Sequence, residues 1–201
     1  MRYDYGVMGR KAILNADQKI IDAAIEVGGT SNANVLFSTV DIAQKAGVSE
    51  FVVFSRFQNK EGLLYRALAE ATRRRSEEFA RLVALHLPFE KVTEGLERYL
   101  INHPTETMFL INYGESVPKI AGFNALHEAF IKNCKKDMHL FDDYYAFPDE
   151  ETQLIAYTSY IRNVLYDAQF VLSGFEEFDE HYAQVASSLL CSGLIEEKPH
   201  A

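Results

Sequence analysis

The stretch STVDIAQKAGVSEFVVFSRFQNKEGLL, residues 38–64, decides the fold that we predict for this chain. Gly47 supplies a tight turn, because glycine adopts backbone conformations that other residues avoid. Small Ala43 allows two helices to approach closely on either side of that turn. The other apolar residues have the spacing of a shared core: Ile42, Ala46, Val48 and Val53. The stretch therefore predicts a helix-turn-helix unit.

Serines mark the start of both helices in this unit. The Ser38 hydroxyl can accept from a first-turn amide, and Asp41 can reach back to complete a capping box. Phe37 and Ile42 have the spacing of a hydrophobic staple across the same boundary. Ser49 has the position of a cap for the second helix.

Helices are also predicted along the rest of the chain. Apolar periodicity indicates a first helix over about residues 16–27, which Gly28 and Gly29 are expected to end. Prolines divide the region beyond the unit. The later helices are predicted at 50–57, 60–86, 89–101, 105–113, 119–139, 149–173 and 177–192. No alternating strand pattern with Asn-Gly or Asp-Gly turns occurs, so the chain is predicted to be all-α.

Composition indicates a folded protein of the cytoplasm. Of 201 residues, 48% are hydrophobic and 24% are charged. The chain contains no apolar run of the roughly 18 to 20 residues that a membrane span needs, and no secretory signal. Cys134 and Cys191 are far apart and lack a CxxC partner, which disfavours a zinc site or a disulfide and predicts reduced, buried thiols.

The charge is unevenly divided. The net charge is −9, but residues 1–87 carry +2 and residues 88–201 carry −11. A polyanion is therefore expected to contact the first half of the chain.

Enzyme activity is the main alternative from another class, and the sequence disfavours it. The six histidines of the chain form no HExxH or other recognised metal-ligand spacing. Neither a GxSxG motif nor a glycine-rich phosphate loop occurs. Paired carboxylates such as Asp142 and Asp143 lie in hydrophilic stretches typical of solvated loops. We expect no catalytic residues, metal or cofactor.

Two further motifs accompany the helix-turn-helix stretch: IIDAAIEV at residues 20–27, and an aromatic-x-x-Phe-x-x-Lys-Glu pattern at residues 54–61. With them, the sequence resembles the TetR family of transcriptional regulators over about residues 13–68. The resemblance implies a three-helix head at 1–58 that binds DNA, with an N-terminal arm at 1–15. It also implies a helical body at 59–201, for ligand binding and dimerisation, that begins with a connecting helix at 60–86. The function implied is that of a ligand-responsive homodimer, with a small molecule releasing a repressor from its operator.

The resemblance also assigns roles in the head. Ser38, Thr39 and Lys60 would bind phosphates, since helix N-termini offer free amides. Arg10 and Lys11 would precede the first helix and follow the phosphates or enter the minor groove. The DNA-binding residues expected are Arg10, Lys11, Ser38, Thr39, Ser49, Glu50, Phe51, Val52, Phe54, Ser55, Arg56 and Lys60.

The recognition helix departs from the family pattern. Phe54 replaces a usual tyrosine, Phe51 replaces a small residue, and Glu50 places a negative charge near DNA. Residues 50–55 contain no Arg, Lys, Asn or Gln, and Arg56 is the only long donor nearby. Contact of Phe51 or Val52 with thymine methyl groups, acceptance by Glu50 from a cytosine amine, and readout of DNA shape all stay open. So does a helix-turn-helix protein with weak or lost DNA binding that acts in protein interaction or ligand binding.

The second half of the chain holds 17 of the 25 aromatic residues. This composition suits a pocket for a hydrophobic or aromatic ligand, or simply a large core. Acidic residues there, such as Glu115, Glu128 and Asp167, would attract a cationic ligand if they faced inward. The pocket candidates are Phe109, Tyr113, Phe123, Phe130, Tyr157, Tyr160 and Tyr166.

Apolar stripes on the last two predicted helices suit a four-helix dimer interface, or an intrachain core. A two-fold dimer would place two recognition helices about one DNA turn apart. The interface candidates are Leu154, Ile161, Leu165, Ala168, Leu172, Phe178, Tyr182, Val185 and Leu189.

Overall fold

A computed structural model describes residues 5–30, 38–114, 124–173 and 196–197. These residues form a helical fold, as predicted. The helices are α1 (Tyr5–Thr30), α2 (Thr39–Ala46), α3 (Glu50–Phe57), α4 (Lys60–Val83), α5 (Phe89–Asn102), α6 (Pro104–Gly114), α7 (Asn124–Asp137) and α8 (Glu150–Leu172), with a 3₁₀ helix at Met138–Phe141. The strands β1 (Tyr145–Ala146) and β2 (Glu196–Glu197) form one short antiparallel pair. Among the helices described, none combines the length and apolar character that a bilayer span requires.

Two apolar clusters form the core. The first joins α1, α2 and α3 to the N-terminal half of α4, and α6 also contributes to it through Phe109, Leu110 and Tyr113. The second joins the C-terminal half of α4 to α5, α7, the 3₁₀ helix and α8. Because α4 contributes to both clusters, it connects the helix-turn-helix unit with the body along its whole length.

The first helix is longer than predicted at both ends. It begins at Tyr5 and continues through Gly28 and Gly29 to Thr30. A Cβ atom at Gly29 would lie 1.9 Å from the carbonyl oxygen of Thr105, and one at Gly28 would lie 2.6 Å from the Phe109 ring. The two glycines therefore do not end the helix; they let α1 approach α6.

Most later boundaries are confirmed to within one residue. The side chain of Asp149 caps α8 by accepting from the Thr152 amide at 2.7 Å. The connecting helix is shorter than predicted, because residues 84–86 form a turn with His86 at a φ of 52°. The α-helical part of α7 ends at Asp137, two residues early, and the chain continues as the 3₁₀ helix. Phe37, Cys191, the predicted start of the seventh helix and the helix at 177–192 lie outside the described residues.

Ion pairs reinforce the packing of the helix-turn-helix unit on the body. Arg74 of α4 donates to Asp22 of α1 at 2.5 Å, to Glu70 at 3.0 Å and to Glu106 of α6 at 3.2 Å. Asn112 of α6 donates to the Gly28 carbonyl at 3.2 Å. Three helices thus meet at one polar junction beside the glycine contact.

Candidate nucleic-acid interface

The helix-turn-helix geometry follows from the residues that predicted it. Ser38 caps α2 by accepting from the Asp41 amide at 3.3 Å. Gly47 has a φ of 69° in the left-handed region, where a residue without a side chain is favoured. Ala43 and Val53 are buried between the helices. The sequence thus predicted both the cap and the turn.

The start of α4 is fixed by two residues that the sequence analysis missed. Asn59 caps the helix by accepting from the Gly62 amide at 2.7 Å. Gly62 has no room for a side chain, because a Cβ atom there would lie 2.3 Å from the Phe57 carbonyl oxygen. Asparagine is among the preferred N-cap residues, so its position just before Lys60 was the available signal. Lys60 lies half-buried in the first turn of α4.

A side-chain bond joins the first turns of α2 and α3. The Thr39 hydroxyl donates to the Glu50 carboxylate at 2.5 Å. The Glu50 charge is therefore held against α2 instead of extending freely from the recognition helix. Thr39, predicted as a phosphate contact, directs its hydroxyl to a carboxylate in this structure.

Two basic residues of the unit, Lys45 and Arg56, are paired with acids of α1. Arg56 donates to Asp17 at 2.7 Å, and Lys45 forms an ion pair with Glu26. Both pairs join residues far apart in sequence, so no local pattern could reveal them. Arg56, the long donor expected near the bases, therefore has a carboxylate partner.

The outer surface of α3 is apolar. Phe51 is 80% exposed and Phe54 is 40% exposed, while Val40, next to Thr39 on α2, is 56% exposed. Val52 is half-buried and packs against the first core cluster. The Ser55 hydroxyl donates to the Val52 carbonyl at 2.9 Å, within its own helix.

The remaining predicted DNA contacts are Ser49 before α3 and the two basic residues Arg10 and Lys11. Ser49 precedes α3 with extended backbone, and its side chain makes no capping bond. Arg10 and Lys11 were expected before the first helix, but they lie within α1, because that helix begins at Tyr5. Their side chains lie outside the described part of the structure.

The pocket candidates are divided between the two core clusters. Phe109 and Tyr113 are buried beside α1 in the first cluster, whereas Tyr157 and Tyr160 are buried in the second. Tyr166 is exposed on α8. Phe123 and the side chain of Phe130 lie outside the described part, so a shared pocket stays a prediction.

The dimer candidates of α8 have intermediate or full burial within one chain. Ile161 and Ala168 are buried in the second cluster. Leu154, Leu165 and Leu172 are half-buried. The candidates beyond α8, Phe178, Tyr182, Val185 and Leu189, lie outside the described residues, so the interface also stays a prediction.

A buried polar chain crosses the second cluster. Arg75 donates to the Tyr157 hydroxyl at 3.4 Å, and Tyr157 donates to Asp137 at 3.3 Å; Ser76 also donates to Asp137. Burial raises the pKa of Tyr157 and raises the pKa of the buried Cys134 thiol to about 11. Arg75 lies in a run of three arginines, which is typical of an exposed charged face, so its burial could not be predicted from the local sequence.

Two buried carboxylates lie near each other between α5 and α8. Burial, followed by the charges of Asp167 and Glu94, raises the pKa of Glu97 to about 7. Burial alone raises the pKa of Asp167 to about 6. Both carboxyl groups therefore hold their protons more tightly than they would in water, and the ionisation of one disfavours the ionisation of the other.

Comparison with known proteins identifies the fold. No protein-family model matches the sequence, and no curated protein matches it either. Solved structures do match. A TetR family transcription regulator from Marinobacter aquaeolei VT8 is 15% identical, with a TM-score of 0.63 over 93% of this chain and 99% of that one. A TetR-like transcriptional regulator from Rhodococcus sp. RHA1 is 19% identical, with a TM-score of 0.59 over 89% and 94%. A fatty acid degradation regulator from Bacillus halodurans is 16% identical, with a TM-score of 0.61 over 89% and 95%. The chain therefore has the fold of the TetR-family regulators along most of its length.

Proposed function

We propose that the protein is a DNA-binding transcriptional regulator whose recognition helix is α3. The observation that carries this proposal is the geometry of the head within this fold: α3 has an exposed outer face, and the Thr39–Glu50 bond holds the N-terminus of α2 beside that of α3. Helix N-termini bind phosphates through free amides and the helix dipole. An α-helix presented in this way has the dimensions of the major groove.

The phosphate contacts would come from the ends of the helices. Ser38 and Thr39 lie at the start of α2, and Lys60 lies at the start of α4. Ser49 retains a hydroxyl that is not used in capping α3. Because Thr39 already donates its hydroxyl to Glu50, we expect it to contribute its backbone amide. Arg56 would have to exchange Asp17 for a phosphate or a base.

The regulator would act as a homodimer. The α8 stripe supplies half-buried leucines, and Ile155 on the same helix is largely exposed. Helix pairs from two chains would then form a four-helix interface and place two heads about one DNA turn apart. The two-fold symmetry of such a dimer predicts a palindromic operator.

Ligand binding would change the separation of the heads. We propose that a hydrophobic or aromatic molecule in the body favours a conformer that does not fit the operator and so relieves repression. Two elements support transmission: α4 spans both core clusters, and α6 packs on α1 at Gly28 and Gly29. The effect requires a different ligand affinity in each state.

A second candidate function is favoured by the surface of the head. Phe51 is exposed on α3, while Arg56 and Lys45 are paired with Asp17 and Glu26. Exposed apolar side chains beside paired cations also occur on surfaces that bind proteins. The alternative is therefore a module that keeps the helix-turn-helix fold but binds a protein or a ligand instead of DNA.

Duplex binding separates the two functions. Fluorescence anisotropy with labelled duplexes from upstream of the protein's own gene should show sequence-preferring binding, with two chains per duplex in light scattering. Lys60→Ala should weaken binding to all duplexes in similar proportion, because a phosphate contact carries no sequence information. Lys132→Ala, on an exposed site of α7, is the matched control. If no duplex binds more tightly than the nonspecific range of about 10⁻⁴ to 10⁻⁶ M, the regulator proposal fails.

A further inference from the structure

We infer that α3 recognises the C5-methyl groups of thymine through Phe51, so that the operator carries thymine opposite this residue in each half-site. The inference rests on the proposed function and specifies how the head would read sequence. It follows from which side chains of α3 are already bound within the chain and which project outward.

The polar side chains of α3 already have partners in the chain. Glu50 accepts from Thr39 at 2.5 Å, Ser55 donates to a carbonyl of its own helix at 2.9 Å, and Arg56 donates to Asp17 at 2.7 Å. Use of any of these groups to read a base would mean sharing or breaking an existing bond. Reading a base by hydrogen bonds from α3 therefore requires the loss or sharing of a bond within the chain. Reading a base by apolar contact does not.

The most exposed large apolar side chain of α3 is a hydrocarbon ring. Phe51 is 80% exposed in the first turn of the helix, and Phe54 lies three residues later, on the same side. Val53 and Phe57, on the opposite side, are buried in the head. The outward face of the helix is thus phenyl, and its inward face forms the core.

Thymine is the base that matches such a face. In the major groove the C5-methyl group of thymine is the largest apolar group on a base edge, and apolar side chains contact it. Burial of that methyl group against Phe51 removes carbon surface from water on both sides. A cytosine at the same place would present only its small C5–H beside the amino donor, and a purine would set N7 and its O6 or N6 group against the ring without a partner.

DNA is a better occupant of this face than a protein because the face continues into the proposed phosphate contacts. Phe51 follows Ser49 and Glu50 at the start of α3, and the Thr39–Glu50 bond holds the start of α2 beside it. Lys60 begins α4 three residues after the end of α3. The start of α2 is therefore held beside the helix that carries the exposed rings, and the start of α4 follows that helix directly in the chain.

The test is removal of the methyl group alone. A duplex is first selected from a random thymine-containing library with the wild-type protein, and is then remade with uracil in place of thymine. Wild-type affinity should fall by about fourfold for each methyl group contacted, or about fifteenfold for two symmetric half-sites. The same thymine-to-uracil ratio is measured for Phe51→Ala, where it should be close to one. This comparison cancels any effect of uracil on the DNA itself.

Leu85→Ala, which shortens another exposed apolar side chain outside the head, is the matched control and should keep the wild-type ratio. Melting curves should show that Phe51→Ala folds normally, because the residue lies outside the core. Equal ratios for wild type and Phe51→Ala would overturn the methyl readout, while the selected duplex would still establish the regulator. If no duplex is enriched, the proposed function itself fails, and the apolar face belongs to another class of partner.

Discussion

Glu97 illustrates, at the scale of a single residue, how burial controls protonation in the body. Its pKa is raised from 4.5 to about 7 by burial and by the nearby charges of Asp167 and Glu94. A carboxyl group with a raised pKa binds its proton more tightly in the folded state than in the unfolded state. Its contribution to stability is therefore complete below about pH 4.5 and is lost as the pH rises toward 7. Asp167 acts in the same direction over a lower range, because its pKa is about 6.

Glu97→Gln should therefore stabilise the protein in a pH-dependent way. The gain in unfolding free energy over wild type should grow by about 2 kcal/mol between about pH 5 and pH 8, because glutamine stays neutral where buried Glu97 must ionise. Urea unfolding at the two pH values measures it. Glu90→Gln, at an exposed position of α5, should show no such growth. A gain that is the same at both pH values would contradict the buried carboxylate pair.

Side-chain partners are the part of the candidate site that sequence could not predict. Ser38 as a cap depends on three neighbouring residues, and the sequence predicted it correctly. The Arg56–Asp17 bond joins residues 39 positions apart, and it forms because the fold brings the side chains of Arg56 on α3 and Asp17 on α1 within reach of each other. The Thr39–Glu50 bond likewise depends on how two helices cross. Local patterns describe turns and caps; they contain no information on such contacts.

At the scale of helices, the predicted boundaries are correct where residues close to the boundary in sequence determine it. The starts of α2, α3, α4, α5 and α8 agree with the predicted starts to within one residue, and Ser38 caps α2 as predicted. Gly28 and Gly29 were misinterpreted, because a glycine pair that ends a helix and one that lets a helix touch its neighbour have the same local sequence. Only the position of α6 distinguishes them.

Gly29→Ala tests this close approach. Alanine normally stabilises a helix interior by up to about 1 kcal/mol relative to glycine. Here its Cβ atom would lie 1.9 Å from the Thr105 carbonyl oxygen, so α1 and α6 would have to separate. We expect a net loss of about 1 to 3 kcal/mol of stability in thermal or urea unfolding. Gly114→Ala has no atom within 4 Å of the new Cβ in the described structure and should be neutral or slightly stabilising. A Gly29→Ala variant as stable as wild type would show that the helices do not meet in this way.

At the scale of the whole molecule, the head and the body share one of the two core clusters. The predicted boundary near residue 58 falls between α3 and α4, yet Phe109, Leu110 and Tyr113 of α6 pack with the head. A displacement of α6 or α4 would therefore change the packing of the core cluster to which the recognition helix belongs. The sequence predicted the helical body but not this contact, because the TetR resemblance ends near residue 68.

The salt dependence of DNA affinity tests most directly whether the head binds duplex DNA through its helix ends. For a duplex selected by the wild-type protein, the dissociation constant should rise steeply between about 50 and 200 mM salt, because phosphate contacts release counterions. Lys60→Ala should reduce the slope of log Kd against log salt concentration by about one unit per protomer and leave the sequence preference unchanged. Lys132→Ala should keep the wild-type slope. An affinity that does not vary with salt, or an identical slope for wild type and Lys60→Ala, would contradict the proposed interface.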